Sequence, residues 1–102
     1  MIRVDDRRTG RRHRLAVTGH AGYGERGKDI VCAGVSALSF ALLGYLHQAG
    51  SCLTQVRADS GDLLIEAAGD SRTAGAFEMA LVGYREIAKK YPHHVEVYYV
   101  PR

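Results

Sequence analysis

Ile2 and Val4 alternate with charged residues at the start of the chain, and Leu15 and Val17 repeat the same two-residue period shortly afterwards. This alternation predicts two strands, Met1–Asp5 and Arg12–Thr18, joined by turn chemistry over Asp6–Arg11 around Gly10. From Ile30 to about Ala49 the pattern changes to a helix, with Asp29 as its N-cap and Gly50 closing it. Its apolar positions Val31, Val35, Leu38, Leu42, Tyr45 and Leu46, with Ala37, Phe40 and Ala41 beside them, leave no polar face. Such a helix calls for burial on several sides, part of it against a second copy of the protein. A hairpin follows, Cys52–Ala58 and Leu63–Ala67 about "DSGD". Asp70 or Ser71 then opens a second helix to about Tyr91, whose stripe is Ala74, Phe77, Leu81, Tyr84, Ala88 and Tyr91 before Pro92 stops it. "HVEVYYV" is the last strand. The order ββαββαβ gives an α+β fold class: a small antiparallel or mixed five-stranded sheet packed with two helices, in one domain over residues 1–102.

Composition bounds the function without naming it. A chain of 102 residues, 46% hydrophobic and 25% charged, has room for one modest core. No apolar signal core opens the N-terminus, and the uncharged run Ile30–Leu46 is short for a membrane span and broken by Gly34, Ser36, Ser39 and Gly44. The expectation is a cytoplasmic protein with no membrane contact and two free thiols. Net charge is only +3, but Arg7, Arg8, Arg11, Arg12 and Arg14 with His13 form a dense basic patch. Either it is a solvated hairpin tip, or Arg7, Arg8 and Arg11 help dock RNA or a ribosome. The adjacent pair His93–His94 cannot complete a tetrahedral site, so neither a metal nor a cofactor is expected. Cys52 and Tyr45 read as core.

The segment Gly19–Ser36, "GHAGYGERGKDIVCAGVS", contains the glycine spacings of two nucleotide fingerprints. Neither fits its context. A phosphate loop needs Ser or Thr after the lysine to hold magnesium, and here Lys28 is followed by the carboxylate of Asp29. A dinucleotide site needs an acid about twenty residues beyond the glycines, and that count falls inside the apolar helix.

A thiol reading fits better. With Asp29 as N-cap, Cys32 sits in the first helical turn, where unpaired backbone N–H groups favour an anion. His20 ends the preceding strand, and the glycine loop can bring it back toward the sulfur as a base. The bland reading makes Cys32 a small buried residue and His20 a polar strand end. Tyr23, on the loop, is the aromatic placed to touch a peptide.

At these positions the chain resembles the ribosomal-processing cysteine protease family, Prp. The resemblance lies in Gly19, His20 and Ala21, a glycine-rich spacer, then Asp29, Cys32, Ala33 and Ser36, with Gly34 where alanine is more usual. It implies a homodimeric endopeptidase without cofactor, which removes a short N-terminal extension from a large-subunit ribosomal protein, number twenty-seven, after an aromatic residue. Cys32 would be the nucleophile and His20 its base and then acid. Asp29 would cap the helix, and either orient the histidine as well or only cap; Ser36, one turn below the thiol, would either hydrogen-bond near it or simply pack. Gly19, Ala21, Gly22, Tyr23 and Gly24 would form the substrate loop. The rival function is a non-catalytic, ribosome- or RNA-associated binding module.

Overall fold

The computed structural model describes residues 1–101. Its elements are β1 (Ile2–Thr9), β2 (Arg12–Thr18), α1 (Ile30–Gln48), β3 (Cys52–Asp59), β4 (Asp62–Ala68), α2 (Ser71–Lys90) and β5 (Val95–Val100). The order is the one the periodicity predicts. Strand β1 runs four residues further than the alternation suggests, because its charged half, Asp6–Thr9, still pairs with Arg12–Leu15. The strands lie in the order β3-β4-β2-β1-β5; only β1 and β5 pair in parallel.

Both helices cover one face of this sheet. Val4, Leu15, Ile65 and Val95 from the strands meet Val31 and Leu46 of α1 and Phe77, Leu81 and Tyr84 of α2, all nearly inaccessible. A buried hydrogen bond joins the two helices, Ser39 Oγ to Tyr84 Oη at 2.7 Å. The opposite face is open and laced with ion pairs, Arg3 and Arg7 to Asp5 and Arg14 to Glu66. Along β1 and β2 alternate residues therefore separate core from solvent, which fixes the register of that pair.

Four expectations change. His13 is 3% exposed and stacks on Phe77 with ring centroids 4.6 Å apart, because its parity in β2 points it at the core. Arg8 shares that parity in β1 and pairs with Glu78 of α2 at 2.8 Å, so neither belongs to a solvated tip. Cys52 is exposed, lying at the start of the edge strand. Tyr45, expected in the core, is 43% exposed: within this chain α1 buries one stripe, and Tyr45 stands with Phe40, 56% exposed, beside Ala37, Ala41 and Gly44. By length and composition this 19-residue helix could cross a membrane; here its buried stripe lies in the core.

Beneath α2 the core contains a charged cluster. Asp6 is 1% exposed, and it is surrounded by Arg8 of β1, His13 of β2, and Glu78, Tyr84 and Arg85 of α2. Asp6 Oδ1, Arg8 Nε and His13 Nδ1 have no hydrogen-bond partner among the described residues. Desolvation raises the Asp6 carboxyl to about 6, only partly opposed by the charge of Arg8. Burial, then the charge of Arg8, lowers His13 below the ordinary imidazole value.

These shifts have opposite consequences. The Asp6 contribution to stability is fully present below its unfolded value of 3.8 and is lost as pH rises through about 6. The His13 contribution is lost as pH falls below 6.5. Asp6→Asn is expected to exceed the parent in stability above pH 6 by on the order of 2 kcal/mol, with the gap closing toward pH 4. Urea unfolding across that range measures it; a pH-independent difference would refute it.

Candidate active site

Asp29 joins the glycine loop to α1. Its Oδ1 accepts the N–H groups of Val31 and Cys32 at 2.9 and 3.0 Å. Its Oδ2 accepts those of Tyr23 and Gly24 at 2.9 and 3.0 Å. Burial pushes this carboxyl up, but the four backbone N–H groups together hold it below the ordinary aspartate value. With both oxygens engaged this way, Asp29 caps the helix and shapes the loop; of the two roles open to it, it takes the cap and forms no bond to His20.

The loop leaves β2 through Gly19, whose φ of +89° suits glycine and where a Cβ would collide with the Met1 carbonyl. The Gly19 N–H donates to Gly61 O at 2.9 Å, tying the loop to the β3–β4 turn. Next to it, the Met1 nitrogen donates to His20 O at 2.6 Å. The N–H of that same peptide unit, on Ala21, donates to Cys32 Sγ at 3.4 Å. The thiol, half-buried in the first turn of α1, thus receives a backbone donor from the residue after His20. The His20 imidazole is exposed and rests on Gly61, where a Cβ would come within 2.6 Å of Nε2.

One cleft of about 660 Å³ holds both side chains. Gly19, Gly22 and Gly24 form its loop side, Ser36 and Phe40 belong to the α1 wall, and Ser60–Gly61 close the far end. Ser36 is exposed on that wall. Ala21 is buried behind the loop rather than facing the cleft. Tyr23 is 47% exposed, yet its ring is set edge-on against Tyr91 and His94, with centroids 5.1 and 5.3 Å away. Arg7, Arg8 and Arg11 are absent from the cleft: Arg7 bonds Asp5, Arg8 bonds Glu78 and Arg11 bonds Gly69 O. Among the described residues, no three His, Cys, Asp or Glu side chains converge as metal ligands.

Two contributors lie outside the sequence motif. Gly61 shows only as part of a turn, and His94 as one of two histidines before a strand. His94 Nδ1 donates to Ala21 O at 2.8 Å, a partner 73 positions away that no local spacing announces. A thiol at a helix N-terminus, a donor on its sulfur and an imidazole in the same cleft are the parts of thiol-dependent acyl transfer.

Comparison with known proteins agrees with this chemistry. Residues 1–96 match the family described as "Cysteine protease Prp". The ribosomal processing cysteine protease Prp of Mycoplasma genitalium is 30% identical over 83 residues, 81% of this chain and 84% of that protein. An essential ribosomal processing protease Prp from S. aureus, solved with a covalently linked product peptide, superimposes with a TM-score of 0.88 at 25% identity, covering 97% of this chain and 99% of that one. A Streptococcus mutans protein of solved structure superimposes with a TM-score of 0.78 at 29% identity, covering 100% and 96%. With a family match across almost its whole length, this chain belongs to the Prp family of ribosomal-processing cysteine proteases.

Proposed function

We propose that this cysteine protease acts in the cytoplasm as a homodimer and removes the N-terminal extension of a large-subunit ribosomal protein, number twenty-seven. The observation that carries the reading is the shared cleft of Cys32 and His20, with the Ala21 N–H already directed at the sulfur. Support for a peptide substrate comes from the S. aureus relative, which was solved with peptides. The Phe40, Ala58 and Leu63 lining suits an apolar segment with an aromatic residue at the cut.

In this mechanism His20 removes the Cys32 proton and the thiolate attacks the scissile carbonyl carbon. The resulting tetrahedral adduct collapses as the imidazolium gives its proton to the leaving amine, leaving a thioester on Cys32. His20 then takes a proton from water, whose oxygen attacks the thioester; the peptide acid departs and the thiol is restored. Ser36 lines the path of the peptide along α1. Gly22 and Gly24 let the loop move over it.

The homodimer draws on the uncovered apolar side of α1, around Ala37, Phe40, Ala41 and Tyr45. A contact to ribosome or RNA would use Arg7 and Arg11 rather than Arg8, which is tied to Glu78. A non-catalytic RNA-binding role has less support, because it gives no part to the thiol and imidazole that share the cleft.

The purified protein is expected to convert the extended ribosomal protein to one shorter product by mass spectrometry, with Cys32→Ala and His20→Ala slower by roughly 10³-fold or more. Cleavage by either variant at the parental rate would end the proposal. Gly61→Ala is expected to lower kcat roughly 10- to 100-fold by displacing the imidazole. Gly10→Ala, at a similar φ of +62° with nothing within 4 Å, is the control and should keep full activity. Sedimentation should give a dimer for the parent and a monomer for Phe40→Glu; a monomeric parent at every concentration would exclude the dimer.

A further inference from the structure

His94 lies outside the Cys32–His20 pair, yet it is held more firmly than a surface histidine needs to be. Its N–H donates to Tyr91 O at 3.0 Å, and its C=O accepts from Ile2 N at 2.8 Å. The backbone at the root of β5 is thereby fixed to both the end of α2 and the start of β1. Its ring meets Tyr23 edge-on at an interplanar angle of 86°, which sets the ring plane. From that position Nδ1 lies 2.8 Å from Ala21 O. A carbonyl oxygen can only accept, so Nδ1 carries the hydrogen.

Ala21 is the residue whose N–H reaches Cys32 Sγ. On either side of it stand Gly19 and Gly22, with φ of +89° and +67°, so the backbone around it has little conformational stiffness of its own. Its carbonyl has the His94 bond and its methyl group is buried. That carbonyl belongs to the Ala21–Gly22 peptide, whereas the N–H belongs to the His20–Ala21 peptide, whose own carbonyl accepts from the Met1 nitrogen at 2.6 Å. The two planes meet at the Ala21 Cα, so losing the His94 bond frees the Gly22 side of Ala21 to rotate and carry its N–H off the line to the sulfur. A hydrogen bond to the charged form favours that form, so the direction of this one N–H bears on how much thiolate is present.

We propose that His94 is a positioning residue, which by holding the Ala21 carbonyl keeps the Ala21 N–H aimed at the Cys32 thiolate. This rests on the reading of Cys32 as the nucleophile. His94 does not bond the sulfur; it acts through Ala21, whose Cα joins the peptide unit it holds to the one that faces Cys32. It needs a donor at the Nδ1 position, which an asparagine amide nitrogen reproduces and a glutamine nitrogen, one bond further out, does not.

The test is iodoacetamide labelling of Cys32 as a function of pH, in a Cys52→Ser background because Cys52 is exposed. Only thiolate is alkylated at an appreciable rate. His94→Ala and His94→Gln are expected to label roughly tenfold more slowly at neutral pH, with the rate profile moved to higher pH by about one unit. His94→Asn should stay within about threefold of the parent, as a good donor in the same place restores the bond. If His94→Ala proves too unstable to assay, the contrast between Asn and Gln carries the test. Equal labelling in all variants, or Asn impaired as much as Gln, overturns the proposal. A protein that leaves the ribosomal substrate uncut but shows this order of labelling would sink the substrate reading alone and support the role of His94.

Discussion

The four hydrogen bonds accepted by the Asp29 carboxylate fix the relation between the loop and the helix. Two of them close the N-terminus of α1, and two gather in the loop at Tyr23 and Gly24. A helix must find partners for its first N–H groups, and a glycine loop has no order of its own. A single acceptor meets both needs, and the cleft forms in the space between. Because the carboxylate is occupied by main chain, the histidine takes its place from Gly61 and the sheet edge instead. Acid, base and thiol are near neighbours in sequence, but they do not form a linear relay.

The sheet underneath makes this arrangement rigid where it matters. Gly19 is tied to Gly61 across β2 and β4, and Ile2 to His94 across β1 and β5. Strand ends from four of the five strands thus converge around the loop. The same one-sided sheet has a weakness in its middle. Strand parity carries Asp6, Arg8 and His13 inward with Val4 and Leu15, and α2 has to cover charge as well as hydrocarbon. Such a cluster costs stability unless its members compensate one another.

Most of the fold was legible because its signals are local. The alternation of Ile2, Val4, Leu15 and Val17, the stripe from Phe77 to Tyr84, and Asp29 before an apolar run each name their element without help from distant residues. The errors come from packing that composition does not encode. Arg8 and His13 read as a basic tip and Cys52 as core, but sheet parity and edge position decide where a strand side chain points, and both depend on pairing; Tyr45 stands on a side of α1 that the rest of the chain leaves uncovered. In the site, the motif Gly19–His20–Ala21 with Asp29 and Cys32 was readable since the loop is short. Gly61 and His94 were not. Their relevance arises from the order β3-β4-β2-β1-β5, which sets two distant turns beside the loop, and no periodicity encodes that order.

The parallel pairing of β5 with β1 has a bearing on synthesis. Strand β1 is made well before β5, so its outer edge stays uncovered until β5 follows. A nascent chain halted before His94 would already carry its thiol and imidazole, but its Ala21 carbonyl would lack its clasp and β1 would show a bare edge. Closure of the sheet at β1 and support of the Ala21 carbonyl therefore share one requirement, the arrival of the segment that begins at His94.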